Sequence, residues 1–207
     1  MPERIEDYIK ERLAEFNHIP QERLELLDEM SDWINEQLNQ DLDINFIFIC
    51  THNSRRSHMA QIWAQTAAYY YHVPRVHCYS GGTEATAFNP RAVRAMLNAG
   101  FDITPESDDE NPIYLVKYAD DQEPLKCWSK KYNDPANPQQ DFTAVMTCSA
   151  ADSACPIVIG ADERFAITYQ DPQEYDDTPM EKEQYDKRCA QIATEMLYVF
   201  SKSGSAI

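Results

Sequence analysis

The stretch Ile44-Asn45-Phe46-Ile47-Phe48-Ile49-Cys50-Thr51-His52-Asn53-Ser54-Arg55-Arg56-Ser57 decides how this chain is read. Residues Ile44 to Ile49 form a short run rich in β-branched and aromatic side chains, the composition of a buried strand. A helical stretch follows from about Ser57 to Tyr71, so Cys50 opens a loop that leaves a strand and enters a helix. Such a loop turns backbone N–H groups inward at a helix start. The concave site of positive potential that results suits a tetrahedral oxyanion.

Each part of the loop then has a physical task. The field that holds an oxyanion also favours the thiolate of Cys50, the nucleophilic form of the side chain. Arg56 presents a planar fork that can hold two substrate oxygens and follow them as charge builds in the transition state. Ser57 is placed to donate to the sulfur, and Asn53 suits the left-handed turn the loop requires. The expected oxyanion-binding set is Thr51, His52, Asn53, Ser54, Arg55, Arg56 and Ser57, with Arg55 adding positive charge at the mouth of the pocket.

Outward from the loop, the chain alternates. A second strand candidate, Arg75 to Ser80, ends in Gly81-Gly82, and Asn89-Pro90 opens a helix that stops at Gly100. Two more strand candidates, Phe142 to Thr147 and Arg164 to Tyr169, precede a terminal helix from about Pro179 to Phe200. Four strands alternating with helices predict an α/β fold, a parallel sheet flanked by helices. Residues 1–42 read as an N-terminal helical extension, two apolar stripes broken at Pro20, and 43–207 as the α/β domain. Within that domain about 105–141 reads as an insertion or long loop with one strand near Ile113 to Tyr118, a surface hairpin being the simplest form.

At 207 residues the chain has room for one sizeable core. It lacks the roughly 20 consecutive apolar residues a bilayer span requires, and the expectation is a cytoplasmic protein without a membrane partner. A formal net charge of -17 repels polyanions and argues against nucleic acid. Six cysteines are too few for a secreted disulfide scaffold of this length.

The loop resembles the active-site loop of the low-molecular-weight protein tyrosine phosphatase superfamily, which includes thioredoxin-coupled arsenate reductases. Tyr79 to Ala85 and Asn89 to Val93 resemble the second strand and following helix of that superfamily, and Asp171-Pro172 its general-acid loop. The resemblance implies the fold of those phosphatases, with Cys50 as nucleophile and Asp171 as proton donor to the departing oxygen.

Cys148 and Cys155, in Thr147-Cys148-Ser149-Ala150-Ala151-Asp152-Ser153-Ala154-Cys155-Pro156, resemble the redox pair of the thioredoxin-coupled reductases. The implied function is reduction of arsenate to arsenite through a Cys50 adduct and a Cys148/Cys155 disulfide cascade, with thioredoxin as reductant. The alternative is a low-molecular-weight protein tyrosine phosphatase that hydrolyses phosphomonoesters through a phosphocysteine at Cys50. Asp171-Pro172-Gln173 has no aromatic residue directly after the proline to hold a phosphotyrosine ring. Spacing adds an expectation of its own: seven helical residues rise ~10.5 Å, beyond the ~4.4–6.8 Å between Cα atoms that a disulfide allows. A helical segment 148–156 would therefore have to unwind to close.

Two departures from the resemblance stand out. Arg55 occupies a position where the reductases often carry another cysteine. Gln61 stands where a glutamate helps bind potassium in some of them, so neither a metal nor a cofactor is expected. Cys78, Cys127 and Cys189 lack a partner pattern and read as packing thiols.

Overall fold

A computed structural model describes residues 1–155 and 157–204. Four strands, β1 (Ile44–Cys50), β2 (Val76–Gly82), β6 (Phe142–Met146) and β7 (Ala161–Ala166), form a parallel sheet in the order β2-β1-β6-β7. Their order reverses at β1, the kind of switch point beyond whose carboxyl end ligands bind in open α/β sheets. The sheet and its flanking helices are the fold expected from the sequence. β7 both begins and ends three residues earlier than expected: pairing starts at Ala161 opposite Phe142, and Tyr169, already out of the ladder, donates its N–H to the Thr147 carbonyl at 3.1 Å.

Successive residues of β1 serve opposite faces, as a period of two requires. Ile44, Phe46 and Phe48 enter the larger hydrophobic cluster, and Ile47 and Ile49 enter the smaller one. The larger cluster lies under α1 (Glu3–Leu13), α2 (Gln21–Asn39), α3 (Arg56–Tyr70), α4 (Pro90–Asn98) and α6 (Glu181–Ser201). Fully buried Trp63 of α3 stacks on Tyr8 of α1, with ring centroids 5.4 Å apart. Burying side chains such as Phe46, Phe48 and Ile62 contributes about 1.5–3 kcal/mol each.

Pro20 separates α1 from α2, as the sequence indicates. Ile5, Ile9, Leu27, Met30 and Ile34 are fully buried in the same cluster as the sheet, so these helices complete its core.

The opposite face carries a thinner cover. Its cluster comprises Ile47, Ile49, Cys50, Phe142, Ala144, Met146, Cys148, Ala151 and Val158, and its only helix is the six-residue α5 (Ser149–Ala154) among the described residues. Pro156, the last position of the segment expected to switch, lies outside those residues.

The stretch from Asp102 to Cys127 is more than a hairpin. β3 (Asp102–Pro105), β4 (Tyr114–Lys117) and β5 (Leu125–Cys127) form an antiparallel sheet of three strands. The chain then returns to the main sheet: Gly82 N–H donates to the Lys130 carbonyl at 2.9 Å, and Tyr132 N–H donates to the Gly82 carbonyl at 2.9 Å. Among the described residues no helix is long and apolar enough to cross a membrane.

Candidate active site

Thr51 to Arg55 bridge the end of β1 and the start of α3, and the carbonyls of Cys50, Thr51, His52 and Ser54 face outward. Cys50 O accepts from Thr83 N at 3.1 Å, Thr51 O from Glu84 N at 2.8 Å, and Ser54 O from Asn89 N at 2.9 Å. His52 O accepts from Ser129 Oγ at 2.9 Å and Thr86 Oγ1 at 3.3 Å. In a trans peptide the N–H points opposite to the carbonyl that precedes it. Four outward carbonyls therefore turn the N–H groups of Thr51, His52, Asn53 and Arg55 toward the inside of the loop. That is the donor ring an oxyanion needs.

Asn53 makes this curvature possible. Its φ of 45° lies in the left-handed region, which Asn tolerates better than most residues. The side chain then braces both sides of the loop: Nδ2 donates to Ser57 Oγ at 2.9 Å, and Oδ1 accepts from Lys130 N at 2.9 Å. Because Ser57 Oγ accepts from Asn53, its own proton is free for Cys50 Sγ, 3.1 Å away. The sulfur also sits at the N-terminal end of the 15-residue α3, where the helix dipole favours negative charge.

Gly82 lets β2 press against this loop. A Cβ there would lie 2.7 Å from both Asn53 N and Thr51 O, so no larger residue fits without moving the loop backbone.

Arg56 is buried, and one of its terminal nitrogens donates to the Tyr169 carbonyl at 2.8 Å. Its other terminal nitrogen is bonded to Asp171 Oδ2. Arg56 Nε is buried without a partner, a donor left for an oxyanion. Asp171 also caps the 3-10 turn Pro172–Tyr175, its Oδ1 accepting from Gln173 N at 3.1 Å. The structure thus brings Cys50, Ser57, Arg56 and Asp171 to one end of the sheet.

Arg55 departs from its expected place at the pocket mouth. Its Nε donates to Tyr185 Oη at 2.7 Å, Nη1 to Gln173 Oε1 at 3.1 Å and Nη2 to Asp176 Oδ2 at 3.2 Å. A carboxylate, an amide and a phenol claim it, so its side chain holds protein groups. The His52 ring is likewise half-exposed and faces Glu84 at 3.6 Å, so His52 meets the loop only through its main chain. His58 is fully buried against Phe88, and burial holds its pKa well below the usual imidazole value, keeping the ring neutral.

Cys148 lies two residues past the end of β6, the strand beside β1, and Thr51 Oγ1 lies 3.5 Å from its sulfur. That sulfur accepts from Ala151 N at 3.3 Å as the N-cap of α5. Cys155 lies at the other end of the same helix and is partly exposed.

Gln61 donates to the Cys78 carbonyl at 3.1 Å and so ties α3 to β2. Among the described residues no group of three His, Cys, Asp or Glu side chains is placed to hold a metal.

The residues the sequence did not single out lie far along the chain. Ser129 and the Lys130 main chain hold the outer side of the loop, while Tyr185 and Asp176 hold Arg55.

No protein-family model matches the chain. An arsenate reductase of Bacillus cereus (strain 03BB102) is 31% identical over 125 residues, covering 60% of this chain and 74% of that protein. An arsenate reductase of Halalkalibacterium halodurans is 28% identical over 157 residues, covering 76% of this chain and 94% of that protein. Among solved structures, a low-molecular-weight phosphotyrosine phosphatase from Vibrio cholerae O395 superposes with a TM-score of 0.52 at 14% identity. It covers 79% of this chain and 99% of its own, a likeness of fold. A loop of inward amides around a cysteine, matched in sequence to reductases along most of their length, makes this enzyme a member of the arsenate reductase family, carried on the fold seen in a low-molecular-weight phosphotyrosine phosphatase.

Proposed function

We propose that the enzyme reduces arsenate to arsenite in the cytoplasm, with thioredoxin as reductant. The observation that carries this reading is the placement of Cys148 beside the loop, its sulfur 3.5 Å from Thr51 Oγ1 and capped by Ala151 N. Hydrolysis of a phosphate ester uses one cysteine; reduction of a substrate needs two electrons, and a second thiol at the site supplies a route for them.

In the cycle we infer, the Cys50 thiolate attacks arsenic and an oxygen departs with a proton from Asp171, leaving a Cys50–arsenate adduct. The N–H ring and Arg56 hold the remaining oxygens. The Cys148 thiolate then attacks the Cys50 sulfur. The arsenic–sulfur pair passes to arsenic, which leaves as arsenite in the trivalent state, and a Cys50–Cys148 disulfide remains. Cys155 attacks the Cys148 sulfur and releases the Cys50 thiolate, so the two electrons have come from Cys148 and Cys155. An external dithiol reduces the Cys148–Cys155 disulfide by exchange.

The fold of the phosphatase neighbour supports a second reading, phosphomonoester hydrolysis through a phosphocysteine at Cys50. Gln173, which follows Pro172, is bonded to Arg55 and offers no aromatic wall for a phosphotyrosine ring. Thioredoxin-dependent arsenate reduction and aryl phosphate hydrolysis, measured for wild type, Cys50→Ser, Cys148→Ser and Cys155→Ser, separate the two. The reductase expectation is loss of arsenate turnover in all three variants. Unchanged arsenate turnover in both Cys148→Ser and Cys155→Ser would overturn it.

A further inference from the structure

The two arginines at the start of α3 grip the same segment. Arg56 bonds Asp171, and Arg55 bonds Gln173 and Asp176 of the stretch that Asp171 opens. Arg55 is only 9% exposed, and Tyr185, 2% exposed on α6, completes the strut. Tyr185 Oη accepts from Arg55 Nε at 2.7 Å and donates to Asp176 Oδ1 at 2.7 Å, so the phenol and the guanidinium share one carboxylate. From α4, Arg91 lies 3.7 Å from that carboxylate and bonds Asp177 and Glu181 at 2.6 Å each. Segment 171–177 is thus anchored to α3, α4 and α6 at once.

We propose that Arg55 is a positioning residue: through Gln173 and Asp176 it holds the segment that carries Asp171 over the Cys50 loop. This deepens the reading in which Asp171 is the proton donor, and it rests on that reading. The argument is one of geometry. A proton donor works only within hydrogen-bond reach of the departing oxygen, and Asp171 sits on a 3-10 turn too short to hold itself. Side-chain bonds from a neighbouring helix must fix it, and Arg55 supplies two of them from the residue beside the oxyanion-binding Arg56. Its planar fork reaches three separate acceptors from three different nitrogens, a spread the single ammonium of a lysine does not match.

The test compares wild type with Arg55→Ala, Arg55→Lys and Asp176→Asn. Three quantities are read: kcat for whichever oxyanion reaction the wild type turns over, the Kd of inorganic phosphate, and amide hydrogen exchange across 172–178. Positioning predicts that Arg55→Ala lowers kcat about tenfold to a hundredfold, within the ~10²–10⁴ a general acid supplies. The phosphate Kd should stay within twofold, and exchange across 172–178 should rise about tenfold while that of β1 is unchanged. Arg55→Lys keeps the charge and should keep the defect. Asp176→Asn should share it, and adding it to Arg55→Ala should cost little more, because both cut one strut.

A weaker phosphate Kd in Arg55→Ala that Arg55→Lys restores would make Arg55 an oxyanion ligand and overturn the proposal. Unchanged exchange across 172–178 would also overturn it, as would a loss of kcat that follows loss of folded protein alone. Failure of the underlying reading looks different: Cys50→Ser or Asp171→Asn would then retain full turnover.

Discussion

Arg56 and Asp171 are bonded to each other in the free enzyme, while a second nitrogen of the same guanidinium donates to the Tyr169 carbonyl. The group that would embrace an oxyanion is therefore held in place by the group that would protonate it. An incoming dianion meets the Asp171 carboxylate as well as the guanidinium, so the carboxylate opposes the binding that the guanidinium favours.

Asp171→Asn separates these effects. It removes a negative charge from the pocket rim and leaves an amide that can still bond Arg56. Phosphate should bind about threefold to tenfold more tightly, a gain of about 1 kcal/mol, while turnover falls about 10²- to 10⁴-fold. Calorimetric titration with phosphate beside steady-state kinetics checks both. Weaker phosphate binding in the variant would show that the carboxylate organises the site instead of opposing the ligand.

Asn53 offers a second test, because its backbone and its side chain act separately. Asn53→Gly accepts the φ of 45° but loses the bonds to Ser57 and Lys130, at a cost of about 0.5–1.5 kcal/mol for each bond. Asn53→Ala loses the same bonds and adds the left-handed penalty of about 1–2 kcal/mol. Urea unfolding should rank wild type above Gly and Gly above Ala. Equal stability of the two variants would mean that the loop does not keep this conformation.

Lys130 gives the pH dependence a defined sign. Burial lowers its pKa to about 8 despite the opposing influence of Cys127 and Asp134, and its ammonium lies 4.0 Å from the centre of the Trp128 ring. The folded state thus holds this proton less tightly than the unfolded chain does. Between about pH 8 and the ordinary lysine value of 10.5 the unfolded chain carries more protons, so stability from this group rises with pH. Below pH 8 the full penalty applies, on the order of 3 kcal/mol for a shift of this size. Lys130→Met should therefore gain on wild type at pH 7 and lose most of that advantage by pH 10. Parallel urea titrations of both proteins read the difference, and an advantage that does not change with pH would refute the burial argument.

These residues also mark how far the chain could be read before its fold was known. β1, the loop and the start of α3 are contiguous, so local composition and the order Cys-x5-Arg-Ser carry them. The parallel sheet follows because strands and helices alternate. The segment β3 to β5 gives a weak signal: its strands have four, four and three residues, and β3 buries no side chain. Ser129 and Lys130 reach the loop across 77 positions, and no local pattern announces that contact. The direction of the Arg55 side chain is hidden for the same reason. Its charge and position suggest an anion ligand, while its direction is set by Tyr185, 130 positions away. The stripes of α1 and α2 were legible as helices, but that they complete the main core depends on α6 at the other end of the chain.

The last prediction concerns α5. Cys148 and Cys155 cap its two ends, and the bonds Asp152 N to Cys148 O at 3.0 Å and Cys155 N to Ala151 O at 2.9 Å close its turns. Seven helical steps rise ~10.5 Å between Cα atoms, whereas a disulfide brings Cα atoms within ~4.4–6.8 Å. The proposed Cys148–Cys155 disulfide therefore cannot form with α5 intact. A six-residue helix on the thinner face of the sheet has little cooperative stability of its own, so its unwinding costs less than disturbing β6. Oxidation should abolish amide protection at Asp152 and Cys155 while β1 and β6 remain protected, and Cys155→Ser should keep that protection under the same oxidant. Hydrogen exchange on the reduced and oxidised proteins decides this. Equal protection of α5 in both, with the Cys148–Cys155 bond confirmed by mass spectrometry, would show that the thiols meet by some motion other than loss of this helix.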